Sequence, residues 1–462
     1  MGISTLLHQQ PQQPPTAASV TIPVTNGRVP IPARGVDYRG KVVLAPMVRS
    51  GELPSRLMAL HYGADLVWSP ETVDHSMIGT TRKVNPRTGM IEWTRLSNNA
   101  SKRGESAEAE SVIFRVDPVR EAGRLIFQIG TSDPARAVTA AKMVAHDVAG
   151  IDVNAGCPKP FSTSGGMGAA LLRTPEKLAS ILEALVQEVT PAAQVGISVK
   201  IRLLETATET EALVRRLVRT GITGLTIHCR TTDMRPRERA IRGQLRMIRE
   251  VCHEAGVACL MNGDVENRDH AAKLMDDFGV DGAMIATAAE KNPSCFRSAA
   301  EIGQPLAPWA ETVEKYLAYA IETENKLSNT KFMLSQMIPG KSPVYREMQP
   351  WKSYTALVEG FKFAGLVEKA AEADRVLALP HATPAKAMPP ANNNTTGDSK
   401  KRKRQQGDGD NNGRPASRGR KSTAAEPLLI AEDPFAPSAT ATVTAPATAE
   451  APPPQVAAAV AM

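Results

Sequence analysis

Residues 196–228 read GISVKIRLLETATETEALVRRLVRTGITGLTIH, and the fold turns on how this stretch divides. ISVKI at 197–201 and GLTIH at 224–228 are short, continuous and rich in aliphatic or β-branched residues, the pattern of strands buried on both faces. Between them 209–220 has a helical pattern, so the stretch is one strand–helix–strand unit. The same unit recurs outward in both directions. Further strand-like runs are VVLAP (42–46), DLVWS (65–69), RLIFQ (124–128), GIDVN (150–154), VACLMN (257–262) and DGAMIA (281–286). Helical patterns lie over 54–62, 134–148, 175–189, 243–255 and 268–278, and two start at cap-like Ser132-Asp133-Pro134 and Arg173-Thr174-Pro175-Glu176. Roughly eight β–α alternations predict an α/β protein built on a TIM (β/α)8 barrel. An open doubly wound sheet is the alternative, but no GxGxxG follows the first strand.

The barrel is predicted over 37–305, with a polar insertion at about 78–123. From 306 to 378 the strand signal stops. Trp309, Val313, Tyr316-Leu317 and Ala320-Ile321 are spaced as on a helix, as are Tyr354, Leu357-Val358 and Phe361. This predicts a small all-α domain, or else extra helices capping the barrel. Residues 1–36 are rich in Gln, Pro, Thr and Ala, and 379–462 are low in complexity with a basic cluster, KKRKR, at 400–404. Both are expected to be disordered tails, since neither carries enough apolar surface to offset its chain entropy.

The 462 residues carry a formal net charge of +7, which suits a polyanionic partner without identifying one. The five cysteines (157, 229, 252, 259, 295) form no CxxC pair and are odd in number. A disulfide framework or structural zinc is therefore not expected, and a reducing, cytoplasmic setting fits, with nuclear entry open through 400–404. No run of about 18 apolar residues suggests a membrane span. The first residues lack the early arginines of a mitochondrial presequence, and Leu6 stands where a myristoylation signal needs Ser or Thr.

In a parallel barrel the reacting groups sit where strands end. Those positions hold Pro46-Met47, Gln128, Asn154-Ala155-Gly156-Cys157, Lys200, His228, Asn262-Gly263-Asp264 and Ala286-Thr287. They include an amide, a thiol, a lysine and an imidazole, but no carboxylate pair, no metal-ligand cluster and no nucleophile elbow. A polar ring with few proton-transfer groups suggests a bound organic cofactor.

LAPMVRSGELPSRLMALHYGADLVWSPE (44–71), FQIGTSDPARA (127–137) and AGIDVNAGCPKPFSTSGGMGAALL (149–172) resemble the tRNA-dihydrouridine synthases. VKIRL (199–203), HCR (228–230), MNGDV (261–265) and the Asn-Pro-Ser-Cys-Phe stretch at 292–296 do so too, and the whole likeness covers about 37–370. The specific signal is Gly156-Cys157-Pro158-Lys159 with Gly165-Gly166-Met167-Gly168. It is nearest to the eukaryotic branch acting at position 20 of the D-loop. The resemblance implies FMN in a barrel, NADPH or NADH as reductant, tRNA as substrate and no metal; a monomer is expected. In that family reduced flavin gives hydride to C6 of uracil and an acid protonates C5, which assigns the acid role to Cys157.

Carried over by position, Pro46, Met47 and Val48 line the isoalloxazine. Gln128 and Lys200 meet its polar edge, and His228 its ring and phosphate side. Asn262, Gly263, Asp264, Ala286 and Thr287 cradle the phosphate. Asn154, Lys159, Arg202 and Arg230 are the substrate-facing candidates. Two departures stand out. Ala286-Thr287-Ala288 replaces the family's Ala-Arg-Gly or Ala-Arg-Ala, and low-complexity sequence follows the helical region where animal members carry a double-stranded-RNA-binding domain. A small-pyrimidine oxidoreductase and a catalytically silent RNA-binding homologue are the competing readings. The other four cysteines are read as small buried hydrophobes.

Overall fold

A computed structural model describes residues 27–96, 110–235, 237–298 and 306–380. The expectations for 1–26 and 381–462, the basic cluster at 400–404 included, lie outside the described residues. The strands, in chain order, are β1 (Lys41–Leu44), β2 (Leu66–Trp68), β3 (Thr72–Val73), β4 (Thr81–Val84), β5 (Ile91–Leu96), β6 (Glu110–Val116), β7 (Leu125–Gly130), β8 (Gly150–Ala155), β9 (Gly196–Arg202), β10 (Gly224–His228), β11 (Ala258–Asn262) and β12 (Gly282–Ile285). Eight of them pair in parallel in the order β2-β1-β12-β11-β10-β9-β8-β7, and β2 pairs with β7 to close the ring. The sequence expectation of a TIM barrel therefore holds. Because all eight run the same way, their C-terminal ends open on one face.

Helices Pro134–Val144, Pro175–Glu188, Ala207–Leu217, Leu245–Glu254 and Arg268–Phe278 follow successive strands. Asp133 caps the first by accepting from the Arg136 N–H at 2.8 Å. Thr206 and Glu209 form a reciprocal capping box on the third. Thr174 precedes Pro175 as expected, yet its hydroxyl makes no cap bond.

The barrel interior is filled by Val43, Ala45, Leu66, Trp68, Ile126, Leu260 and Met284. Its floor is Tyr38, whose ring passes so close to β10 that a Cβ on Gly224 would lie 2.6 Å from Cδ2. A Cβ on Gly150 would lie 3.2 Å from the Tyr38 hydroxyl, so the two strand-opening glycines leave the space this plug occupies. Residues 27–36, read from composition as part of a disordered leader, are instead docked. The Arg34 guanidinium donates to the carbonyls of Ala193 (3.1 Å) and His146 (2.7 Å), where two helices end and cationic donors are favoured.

The insertion is an antiparallel sheet, β4-β5-β6, rather than a polar loop. Trp93 and Phe114 bring their rings within 5.3 Å on its inner side, and Phe114 meets Phe127 of β7 at 4.9 Å. Helix Leu53–His61 carries Arg56, which is fully buried against Glu121 with Nε–Oε1 at 2.6 Å and a second contact at 3.1 Å. The same guanidinium donates to the carbonyls of Gly51 (3.1 Å) and Arg115 (2.7 Å). One side chain thus ties the turn after β1 to the inserted sheet.

Helices Trp309–Glu322, Leu327–Met337, Tyr354–Gly360 and Val367–Val376 form the region after the barrel and belong to the same compact unit as it. The buried Asp374 carboxylate accepts the N–H groups of Tyr354 (2.7 Å) and Thr355 (2.9 Å) at the start of a helix. The Tyr354 hydroxyl donates to the Asn325 carbonyl at 2.7 Å. Contacts with the inserted sheet include Arg87–Glu324 at 2.7 Å and Arg120–Glu322 at 2.7 Å.

Removing one partner of a buried ion pair strands the other charge in a dry site, at a cost of about 3–5 kcal/mol. Arg56→Leu is therefore expected to lower stability by about that amount in urea unfolding. Arg56→Leu combined with Glu121→Leu is expected to recover most of the loss.

Candidate active site

Three barrel strands carry an uninterrupted chain of buried polar side chains below the mouth. Ser198 Oγ of β9 donates to Asp152 Oδ1 of β8 at 2.7 Å, and Gln128 Nε2 of β7 donates to Asp152 Oδ2 at 2.8 Å. Asn154 Nδ2 donates to Gln128 Oε1 at 2.9 Å. Asn154 Oδ1 then accepts two backbone N–H groups, Gly156 at 3.0 Å and Cys157 at 2.9 Å. Burial pushes the Asp152 carboxyl up to about 6, against donation from Gln128 and Ser198 and the charge of Lys200. Gln128, expected at a flavin edge, is fully buried with both amide ends engaged by Asp152 and Asn154. Asn154, expected on a base edge, fixes the turn that carries Cys157.

After that turn the chain forms a knot around the thiol. Cys157 is half-buried, while the other four cysteines, all free, are buried as expected. The Cys157 carbonyl accepts the Ala169 N–H at 2.9 Å, closing the loop on itself. Gly168 sits at φ +56, and a Cβ there would strike Ser162 Oγ and come within 2.6 Å of the Cys157 carbonyl oxygen. Only glycine serves at this place. Burial, with the Glu71 carboxylate next in effect, pushes the Cys157 thiol up to about 11. A thiol raised this far stays protonated at neutral pH. Ser162 and Glu71 both escaped the sequence reading. Glu71 lies just past β2 in the 44–71 run, at a strand-end position that would have marked it; Ser162 carries no such signal.

The other half of the mouth is cationic. Lys200 pairs in register with Asn154 and Thr226, and burial, aided by the charge of Arg202, lowers its ammonium to about 8. The Arg202 Nε donates to the Gly156 carbonyl at 2.7 Å and its NH1 to the Thr231 carbonyl at 2.9 Å, so it braces the cysteine loop from behind. Arg230 is buried, ion-paired with Asp264 and bonded to the Glu238 carbonyl at 2.8 Å. Its NH1 lies 3.2 Å from His228 Nε2. Burial and the charges of Lys200, Arg202 and Arg230 drive His228 down to about 2, leaving a neutral imidazole.

A cleft of about 180 Å³ brings together Arg202, His228, Arg230, Asn262, Gly263, Asp264, Ala286 and Thr287. Eight of the expected site residues therefore share one wall. Gly263 is at φ +121, and a Cβ there would lie 3.1 Å from Ala240 Cβ and 3.5 Å from the His228 ring. The Asn262 side chain is turned inward, donating to the Met284 carbonyl at 2.9 Å. Pro46 and Met47 follow β1 beside this wall, since Ala45 N–H bonds the Ile285 carbonyl at 2.9 Å; Val48 is exposed. Lys159 is exposed on the cysteine loop. Among the described residues no group of three or more His, Cys, Asp or Glu side chains is placed to hold a metal ion, and no helix is long and apolar enough to cross a membrane.

The fold and site are those of a closed parallel barrel with a polar, cationic mouth and one half-buried cysteine beside it. Residues 43–361 match the family model described as dihydrouridine synthase (Dus), and the chain belongs to that family. It is 46% identical over 332 residues to the Schizosaccharomyces pombe protein named tRNA-dihydrouridine(20) synthase [NAD(P)+], a match covering 71% of this chain and 66% of that one. The Saccharomyces cerevisiae protein of the same name is 44% identical over 321 residues, covering 69% and 82%. The tRNA-dihydrouridine(20a/20b) synthase [NAD(P)+] of Saccharomyces cerevisiae is 25% identical over 331 residues, covering 70% and 79%. The match spans just under two thirds of the fission-yeast protein's own length.

The Asp152 carboxyl sits above its unfolded value of 3.8, so its contribution is intact below that value and is lost as pH rises through about 6. Asp152→Asn is therefore expected to remove roughly 2–3 kcal/mol of the stability change between pH 4 and pH 7. Urea unfolding of both proteins at the two pH values measures the difference.

Proposed function

We propose that the chain is an FMN-dependent tRNA-dihydrouridine synthase that reduces the C5–C6 double bond of the uridine at position 20, with NADPH or NADH as reductant. The observation that carries the reading is a protonated Cys157 held at the barrel mouth by a dedicated polar chain, next to a cationic cleft. The position-20 assignment rests on the 46% and 44% identities to proteins of that name, against 25% for the 20a/20b protein.

The residues fit a flavin mononucleotide on their chemistry. Gly263, at φ +121, brings bare backbone to the cleft wall, and Lys200 is a half-buried ammonium whose charge calls for an anionic partner. Arg202, Arg230 and the neutral His228 line the same wall, so Thr287 in place of arginine leaves the phosphate side with other cationic and N–H donors. Pro46, Met47 and Val48 would supply the apolar side of the seat. When bound and reduced, FMN supplies the hydride that adds to C6 of uracil.

Every other role falls to the chain itself. Lys200 would hold the negative charge that develops at the cofactor's pyrimidine edge. The Cys157 S–H bond breaks as the C5–H bond of the product forms. Asn154 holds the backbone that aims the thiol, and Gln128 holds Asn154. Lys159 would meet RNA phosphate, because it is exposed on the loop that carries Cys157. Arg202 and Arg230 brace the loops on either side of the cleft.

Cys157→Ala is expected to purify with flavin absorbance intact and to lose at least about 100-fold in uridine reduction, the usual scale for a general acid. Dihydrouridine at position 20, mapped in tRNA from a strain lacking the gene, should disappear and return with the wild-type chain. Colourless protein that takes up no FMN would sink the assignment, as would unchanged position 20 in that strain.

A further inference from the structure

The turn after β1 carries an arginine that the reaction above does not use. Met47 to Gly51 fold back on themselves: the Gly51 N–H donates to the Met47 carbonyl at 2.7 Å, and a Cβ on Gly51 would lie 2.8 Å from that oxygen. The turn is held from two sides. Arg56 donates to the Gly51 carbonyl at 3.1 Å, and the buried Ser50 hydroxyl donates to Glu290 of the short helix Thr287–Lys291. Arg49 stands at the tip with φ +70, the left-handed region that a non-glycine residue enters only at a cost in free energy. Its guanidinium lies over the Phe332 ring, 4.2 Å from the centroid. Phe332 belongs to Leu327–Met337, so the stack reaches from the barrel mouth to the helical region. Arg49 is exposed, and among the described residues its guanidinium makes no ion pair and no hydrogen bond.

A strained backbone, a pinned guanidinium plane and unused N–H edges are the parts of an anion clamp. Stacking fixes the plane and leaves the edge donors, which match phosphate oxygens two at a time. The surroundings favour one source of phosphate. A groove of about 440 Å³ lies beside the stack, lined by Thr287, Glu290, Lys291, Trp309 and Gln336 among others. Gln336 is one helical turn from Phe332, and Glu290 holds Ser50, so groove and stack adjoin. Thr287 lines both this groove and the cationic cleft, so the two are neighbours. Lys291 adds an exposed cation, while the Glu290 carboxylate is engaged by the Ser50 hydroxyl. A groove that leads from the cleft to the helical region, with cations along it, suits a chain of phosphates better than a single small anion. We propose that Arg49 clamps a backbone phosphate of the tRNA where the strand passes from the cleft to the helical region. The inference rests on tRNA being the substrate, as proposed above.

Binding is read on the full chain with its flavin bound, using an unmodified tRNA transcript and fluorescence anisotropy between about 50 and 200 mM KCl. Arg49→Gly takes up φ +70 without strain, which offsets the lost stack, so its urea midpoint is expected to stay at the wild-type value. Its affinity for tRNA is expected to fall about tenfold, the scale of a charge-assisted contact. Loss of one phosphate contact should also make the slope of log affinity against log salt shallower by about 0.7–0.9. Arg49→Lys keeps the charge but not the planar fork, and is expected to regain the slope and only part of the affinity. If the stack on Phe332 served stability alone, Arg49→Gly would lower the midpoint and leave the salt slope in place. An unchanged slope overturns the proposal whatever the midpoint does. A raised KM for NADPH in flavin reduction, with the tRNA slope unmoved, would overturn it too, by giving the anion to the reductant. Wild-type protein that binds no tRNA would sink the proposed function itself, whereas equal binding by wild type and Arg49→Gly would sink this inference alone.

Discussion

Asp152 is a carboxyl group sealed inside a barrel of apolar side chains, and most of the site's geometry descends from how it is satisfied. It takes one hydrogen bond from Ser198 and one from Gln128, which fixes the Gln128 amide so that its oxygen must face Asn154. Asn154 is then oriented with its own oxygen towards the two N–H groups of the cysteine turn. Each member leaves the next a single arrangement, because a buried unpaired amide would cost more than any rotamer could recover. The thiol is aimed by a sequence of hydrogen bonds that runs across three adjacent strands.

The second organising contact is the buried Arg56–Glu121 pair. Its guanidinium also holds the Gly51 carbonyl, so the turn after β1, one wall of the mouth, is coupled to the inserted sheet. That sheet in turn carries the ion pairs to Glu322 and Glu324 of the helical region. Barrel mouth, insertion and helices therefore share one scaffold instead of meeting as separate pieces.

The eight barrel strands were legible because strands covered on both faces need unbroken apolar runs, and such runs stand out. The insertion was not, since β4 is exposed along its whole length and the burial of β5 rests on Trp93 within a polar context. The mouth residues were legible by place, at strand ends, but not by partner. The bonds that tie Gln128 and Asn154 together were not legible, because nothing in a linear sequence shows that Asp152, two residues before Asn154, points the same way into the barrel. Glu71 and Ser162 lie 91 residues apart in sequence, so their hydrogen bond belongs to the closed ring alone. Arg34 sat in a stretch whose composition resembled the leader before it.

The Tyr38 plug has a kinetic consequence. With Tyr38, Trp68, Leu260 and Met284 filling the barrel from below, nothing can reach the mouth through the floor. On the proposed function, nicotinamide dinucleotide and tRNA must therefore approach through the same doorway, and each bars the other while it is bound. Turnover would then alternate, one visitor leaving before the next arrives, and an excess of either would slow the other's entry.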